Sequence, residues 1–262
     1  MNATVIIPAR MGSTRFPGKV LAAETGWPLI RHVYEAARGA RCALRVAVAT
    51  DDERVQAAVA AFGGECVMTG DHPNGTSRLA EAAAKLGLAA KAIVVNVQGD
   101  EPELEPAIID GAVAALERTG APVATVAQLF SETEDPANPN LVKVVLRRDG
   151  TALYFSRALV PFPRDAASAV PSRGGRHLKH VGLYVYRREF LDRYGRLEPT
   201  PLEQTEQLEQ LRILEHGYPI AVAVAESRSF GGIDTPDQYA AFVQRWRASR
   251  VGVDETPRQS DI

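Results

Sequence analysis

Two cysteines in 262 residues, Cys42 and Cys66, show no metal-ligand spacing and are too few for a disulfide framework. The chain therefore reads as a reduced, cytoplasmic protein with inert thiols. No apolar run approaches the roughly 20 residues of a membrane span. The start, MNATVIIPAR, enters a strand-like run without the basic and apolar regions of a signal peptide. Excess positive charge is missing as well. With a formal net charge of -2 and no stripe of aromatic and basic residues, neither nucleic acid nor an anionic membrane is an expected partner. Any anion must be held locally. There is no G-x-G-x-x-G for a dinucleotide and no D-x-D of the kind many sugar transferases use. Lysine is scarce, five of the 30 basic residues, which makes the position of each one informative.

The first 130 residues alternate short apolar strands with helical patterns. Strands are read at 4–7, 45–50, 65–68 and 92–97, and helices from Pro28, from Asp51 or Asp52 to Phe62, at 76–86 and at 105–118. Strands separated by helices of this length predict βαβ units with right-handed crossovers. The second part is richer in strands, read at 123–128, 142–146, 152–156, 181–186 and 221–225, with a polar loop over 161–176. Thr200-Pro201-Leu202-Glu203 is a capping box that opens a helix to about His216, turning Leu202, Leu208 and Leu211 inward. Thr235-Pro236-Asp237-Gln238 repeats the pattern and opens a last helix to about Arg247. The tail 249–262 is polar and without period, and reads as disordered. The expectation is one α/β domain over 1–248, a mixed, mostly parallel central sheet flanked by helices.

Directly after the first strand comes Pro8-Ala9-Arg10-Met11-Gly12-Ser13-Thr14-Arg15-Phe16-Pro17-Gly18-Lys19. In an open parallel sheet ligands sit beyond the carboxyl ends of the strands. Glycines that admit close backbone approach, with two arginines and a lysine, supply what a triphosphate needs. This is not a P-loop: five residues separate Gly12 from Gly18, and Val20 stands where a hydroxyl should meet Mg²⁺. Lys19 reads as a loop lysine that packs little. The apolar strand 92–97 ends in Gln98-Gly99-Asp100, delivering a carboxylate to the same edge. Asp234 is a second candidate, freed from helix capping by Thr235. One or two carboxylates with substrate phosphates suit Mg²⁺.

Eight blocks in order, IIPARMGSTRFPGK, DHPNGTSRLAE, VNVQGDEP, NPNLVKVVL, ALYFSRALVPFPRD, KHVGLYVYR, PLEQTEQLEQLR and GIDTP, span residues 4 to about 245. Together they resemble the CMP-Kdo synthetase (3-deoxy-manno-octulosonate cytidylyltransferase) family. The resemblance implies a nucleotide-diphospho-sugar transferase-like fold with a nucleotide half, about 1–130, a smaller sugar-binding and dimerisation half, about 131–248, and a homodimer. It implies transfer of CMP from CTP to an acidic 2-keto sugar, with Mg²⁺ as cofactor. Arg10, Arg15 and Lys19 would hold the phosphates, and Pro8, Ala9, Gly75, Thr76 and Arg78 would line the cytosine pocket. Gln98 and Asp100 would lie at the reacting centre, and Asp100 and Asp234 would bind Mg²⁺. Lys19, Arg15, Asp100 and Asp234 would be the catalytic set. Arg157, His180, Tyr184, Glu209 and Gln210 would bind the sugar together with Gln98, Arg157 gripping its carboxylate. The chain departs from the family at Met11-Gly12, at Ser77, where a carboxylate is usual, and at Lys179, where arginine is usual. Residue patterns alone leave open a different acidic sugar, such as an 8-amino-Kdo or a nonulosonate, and a non-catalytic nucleotide-binding module.

Overall fold

The computed structural model describes residues 2–72, 74–164, 177–226 and 231–251. The chain begins β1 (Ala3–Pro8), a 3-10 turn (Lys19–Leu21), α1 (Leu29–Arg38), β2 (Ala43–Thr50), α2 (Glu53–Ala61), β3 (Glu65–Met68), α3 (Gly75–Lys85), β4 (Ile93–Asn96), α4 (Pro106–Thr119) and β5 (Val123–Leu129). It continues with β6 (Lys143–Leu146), β7 (Ala152–Ser156), β8 (Leu178–Arg187), α5 (Arg188–Tyr194), α6 (Pro201–Glu206), α7 (Gln210–Glu215), β9 (Ile220–Ala225) and α8 (Pro236–Val251).

Among the described residues nine strands join one sheet, in the order β3-β2-β1-β4-β8-β5-β9, with the β6–β7 hairpin attached to β8 through β6. On this path only β8 runs against the others; it pairs antiparallel with β4 and with β5, while the remaining pairings are parallel. The sheet is therefore mixed and mostly parallel, as the sequence pattern predicts. Strand alternation sends neighbouring side chains to opposite faces. Val5 and Ile7 of β1 enter a core with α1 and α4, and Ile6 enters a second core with Leu79 and Ala83 of α3 and Leu191 of α5. A third cluster, Leu29, Tyr239, Phe242 and Val243, packs α8 on α1 and takes in Ile233. Full burial of each large side chain contributes about 1.5–3 kcal/mol, so this cluster fixes the chain immediately before Asp234.

Three readings are corrected. The helix expected from 200 to 216 is two short helices, α6 and α7, because Gln207 adopts a left-handed φ of 53° that no α-helix continues through. Leu202 consequently stays exposed while Leu208 and Leu211 are buried. An additional helix, α5, follows β8 without a loop, where the sequence offers neither Pro nor a capping hydroxyl. At the C-terminus α8 extends to Val251, into the segment read as tail; 252–262, and most of the 161–176 loop, lie outside the described residues.

The close approach of two strand ends sets the site. A Cβ at Gly99 would lie 2.7 Å from the Pro8 carbonyl oxygen, so only glycine lets the β4 end pass the β1 end. Gly99→Ala is expected to destabilise the protein by about 1–3 kcal/mol, lowering Tm by roughly 2–4 °C per kcal/mol. Thermal melting checks this, and an unchanged Tm would show that the two backbones separate freely.

Candidate active site

Lys19 is the pivot of the first compartment, a cleft of about 260 Å³ beyond the ends of β1 and β4. Its ammonium donates to Asp100 Oδ2 at 2.6 Å, to the Ile233 carbonyl at 2.7 Å and to Asp234 Oδ1 at 3.1 Å. These use all three of its protons. The residue is only 8% exposed, which corrects the reading of a loosely packed loop lysine. Three segments far apart in sequence meet on this one cation, and Ile233 N donates to the Asp100 carbonyl to close the arrangement. Arg15, largely exposed, reaches Asp234 Oδ2 at 2.9 Å. Thr235 accepts from the Gln238 amide at 3.3 Å and Gln238 accepts from the amides of Asp234 and Thr235, so the Asp234 carboxylate is not used as a cap.

Two carboxylates thus face Lys19, Arg15 and Arg10, one surplus cation in all. A triphosphate brings more negative charge than that surplus offsets. Among the described residues no group of three or more His, Cys, Asp or Glu forms a protein-only metal cage. The donor set fits a hard cation held by one or two carboxylates and completed by substrate oxygens, as Mg²⁺ is. The same set would not suit zinc, which takes three or four protein ligands.

The second compartment is larger, about 510 Å³, and adjoins the first through Pro8, Arg10 and Gln98, which line both. Its walls hold Ala9, Gly75, Thr76, Arg78, His180, Tyr184, Glu209 and Gln210 among the residues read from sequence. Asn96, Tyr186, Tyr194 and Gln207 line it too and were not singled out. One signal was available: Asn96 is the polar interruption of an apolar strand. Tyr194 could not be found, because it rides on the unforeseen α5.

Arg78 is buried and framework-bound. It donates to Thr69 Oγ1 and to Asp51 Oδ2, each at 2.6 Å, and so ties the ends of β2 and β3 beneath α3. Asn74 caps α3 by accepting from the Ser77 amide at 2.9 Å. His72 pairs with Glu81, and that contact, with Lys85 as the larger cause, holds the Glu81 carboxyl down at about 2.

The opposite wall is uncharged except for Glu209. An aromatic row runs along β8, with His180 5.5 Å from Tyr184 and Tyr184 6.0 Å from Tyr186, ring centre to ring centre. Burial pushes the Tyr184, Tyr186 and Tyr194 hydroxyls upward, so all three remain donors at neutral pH. Burial also raises the Glu209 carboxyl, which accepts from Tyr194. Asn96 Oδ1 and Gln210 Nε2 are buried without a partner among the described residues. Orphaned polar atoms in a cleft wall are the complement of a ligand with many hydroxyls.

Arg157 lines neither compartment. Its guanidinium donates to the carbonyls of Glu206 at 2.6 Å, Pro139 at 3.0 Å and Gln207 at 3.3 Å. The fork expected to grip a sugar carboxylate is occupied by backbone at the end of α6, and direct contact with a ligand would require breaking these bonds. Asp165, a possible ion partner for it, lies outside the described residues.

The Cytidylyltransferase family model matches residues 4–223. A 3-deoxy-manno-octulosonate cytidylyltransferase from Syntrophobacter fumaroxidans is 50% identical over 254 residues, 96% of this chain and 100% of the relative. One from Geobacter sulfurreducens is 48% identical over 252 residues, covering 94% and 99%. A solved CMP:2-keto-3-deoxy-manno-octonic acid synthetase complexed with CTP superposes with a TM-score of 0.87 at 41% identity, covering 95% of this chain and 100% of that one. The chain belongs to the cytidylyltransferases, and among them to the 3-deoxy-manno-octulosonate cytidylyltransferase family.

The histidine of the β8 row gives a pH prediction. Burial lowers His180 from 6.5 to about 4, so it is neutral. Thr125 spends its proton on the Leu183 carbonyl at 2.8 Å, so His180 Nε2 donates to Thr125 Oγ1 at 2.9 Å and Nδ1 is left as an acceptor. Because the folded value is depressed, the unfolded chain takes up the proton first as pH falls. Stability relative to a His180→Gln variant should therefore be full above about pH 6.5 and decline towards pH 4 by on the order of 3 kcal/mol. Urea unfolding of both proteins over this range checks it; a pH-independent difference would place a charged imidazole in the wall.

Proposed function

We propose that the chain transfers CMP from CTP to the anomeric hydroxyl of 3-deoxy-manno-octulosonate, releasing pyrophosphate, and thereby supplies an activated acidic sugar for lipopolysaccharide or other cell-surface polysaccharide synthesis. The observation that carries this reading is the junction at Arg10 and Gln98 between a cationic compartment and a larger cleft with one wall rich in neutral donors and acceptors. The names of the relatives and the CTP of the solved neighbour support the same substrates.

In this reading Arg10 and Arg15 meet the triphosphate, and Lys19 holds Asp100 and Asp234 in place beneath it. Pro8, Ala9, Gly75, Thr76 and Arg78 face the cytidine, with Arg78 acting through the framework it ties together. His180, Tyr184, Glu209 and Gln210 meet the hydroxyls of the sugar, with Gln98 between the two substrates. His180, being neutral, accepts a hydroxyl proton through Nδ1 and does not pair with a carboxylate. Arg10 borders both compartments and has no hydrogen-bond or ion partner among the described residues, so it serves both the triphosphate and the acidic group of the sugar. Asp100 and Asp234 would hold Mg²⁺. When bound, the ion supplies charge neutralisation across the triphosphate and polarises the α-phosphorus.

The acceptor hydroxyl forms a bond to the α-phosphorus as the bond to the β-phosphate oxygen breaks. Pyrophosphate leaves with the bonding pair, and the hydroxyl proton passes to solvent. Both substrates are anions, so the main task of the protein is to hold them in line against repulsion. No nucleophilic side chain is used.

Pyrophosphate release with CTP, Mg²⁺ and a panel of 3-deoxy-manno-octulosonate, an 8-amino analogue and a nonulosonate tests the proposal. The first sugar should turn over fastest, CTP should exceed ATP, EDTA should stop the reaction and excess Mg²⁺ restore it. Lys19→Ala should lower kcat/KM by about 10²–10³-fold. Turnover that survives EDTA would remove the metal role, and preference for another sugar would reassign the acceptor.

We also place the enzyme in the cytoplasm and as a homodimer. No helix among the described residues is long and apolar enough to cross a membrane. Leu153 and Phe162, 54% and 77% exposed, offer apolar surface beside the β6–β7 hairpin. Sedimentation velocity at micromolar concentration should give a dimer, and Leu153→Glu should shift it towards monomer.

A further inference from the structure

Gln207 is the one non-glycine residue with positive φ among those described. A left-handed residue with a side chain is strained and persists only where its surroundings hold it. The turn it makes separates α6 from α7 and puts Glu209 and Gln210 into the cleft wall.

The holding contacts come from the end of β7. Arg157 Nε and Nη2 bind the two carbonyls released at the end of α6, those of Glu206 and Gln207. The Glu206 carboxylate returns the contact, accepting from Ser156 Oγ at 2.6 Å and from the Arg157 amide at 2.9 Å. Behind this pair lies Lys143 of β6, opposite Ser156 in the strand register. It is fully buried, at 0% exposure. Its ammonium donates to the Asn138 carbonyl at 3.0 Å and to the Arg157 carbonyl, and it has no ion-pair partner among the described residues. A buried ammonium paired only with carbonyls is costly, and here it ties the 138–143 segment to Arg157.

Resting on the reading that the Glu209–Gln210 side of the cleft takes the acidic sugar, we infer that Lys143 is a positioning residue for that substrate. It anchors Ser156 and Arg157, and they clamp the left-handed turn at Gln207. Lys143 touches neither compartment, so its effect reaches the reaction only through the position of Glu209 and Gln210. The scarcity of lysine in the chain fits such a use, in which the amine supplies donors that an apolar side chain lacks.

The test is Lys143→Met, which keeps length and removes the donors. KM for 3-deoxy-manno-octulosonate should rise on the order of tenfold or more, with KM for CTP within about twofold of the parent. Hydrogen exchange of the amides over 206–211 should accelerate, with β1 and β4 unchanged. Adding Gln207→Gly, which accepts positive φ without a clamp, should recover part of the sugar KM. Unchanged exchange over 206–211, or equal rises in both KM values, would overturn the inference. Should Lys143→Met fail to fold, Ser156→Ala, which removes the hydroxyl bonded to Glu206 and to the Ala158 amide, must show the same pattern at smaller size, and its absence would overturn the inference equally. Faster exchange at 206–211 in a protein whose parent does not use acidic sugars would uphold the clamp and discard the acceptor reading.

Discussion

Everything at the carboxyl edge of the sheet depends on one ammonium group. Lys19 joins the first loop, the β4 end and the segment before α8 by donating to Asp100, Ile233 and Asp234. Without it two carboxylates would face one another beside a buried carbonyl, and the three segments would have reason to separate. With it, their geometry is set before any substrate arrives, which is what electrostatic catalysis requires. The hydrophobic cluster under α8 complements the lysine from below: Tyr239 and Phe242 hold Ile233, and Ile233 presents its carbonyl to Nζ.

The nucleotide side of this site was legible in the sequence because it is built from local features. Pro8 to Lys19 is continuous chain after an apolar strand, and Gln98-Gly99-Asp100 follows another. The strand periods and the helices of the first half follow the sequence pattern to within a few residues, since each is marked by its own hydrophobic period and turn residues. That Asp100 and Asp234 meet was not legible, since 134 positions separate them in the numbering and only the packing of α8 brings them together. The acceptor side was legible only in part. Two leucines of the 200–216 segment do face inward, but nothing in its helical period announces a left-handed glutamine in the middle. That turn is met from outside by Arg157, which follows a strand some fifty residues earlier. The same fact explains why Arg157 was read as a ligand: a strand-end arginine in the right block has the right chemistry, and its commitment to backbone carbonyls is a property of tertiary structure alone.

The polar inventory of the two compartments separates their tasks. Cations cluster where phosphates would lie, whereas the larger cleft presents protonated tyrosines, a neutral histidine and amides. Burial produces this character; it disfavours charge on every titratable group in that wall, leaving hydrogen-bond geometry as its means of discrimination.

The reversed strand has a mechanical consequence. β8 is stitched to β4 on one side and β5 on the other, and it carries His180, Tyr184 and Tyr186 into the cleft. A sheet sewn through its binding wall cannot swing open as two rigid lobes without tearing both ladders. Admission and escape of molecules therefore fall to the rim, to the glycine-bearing loop before Lys19, the start of α3 and the turn at Gln207, while the floor of the cleft stays fixed.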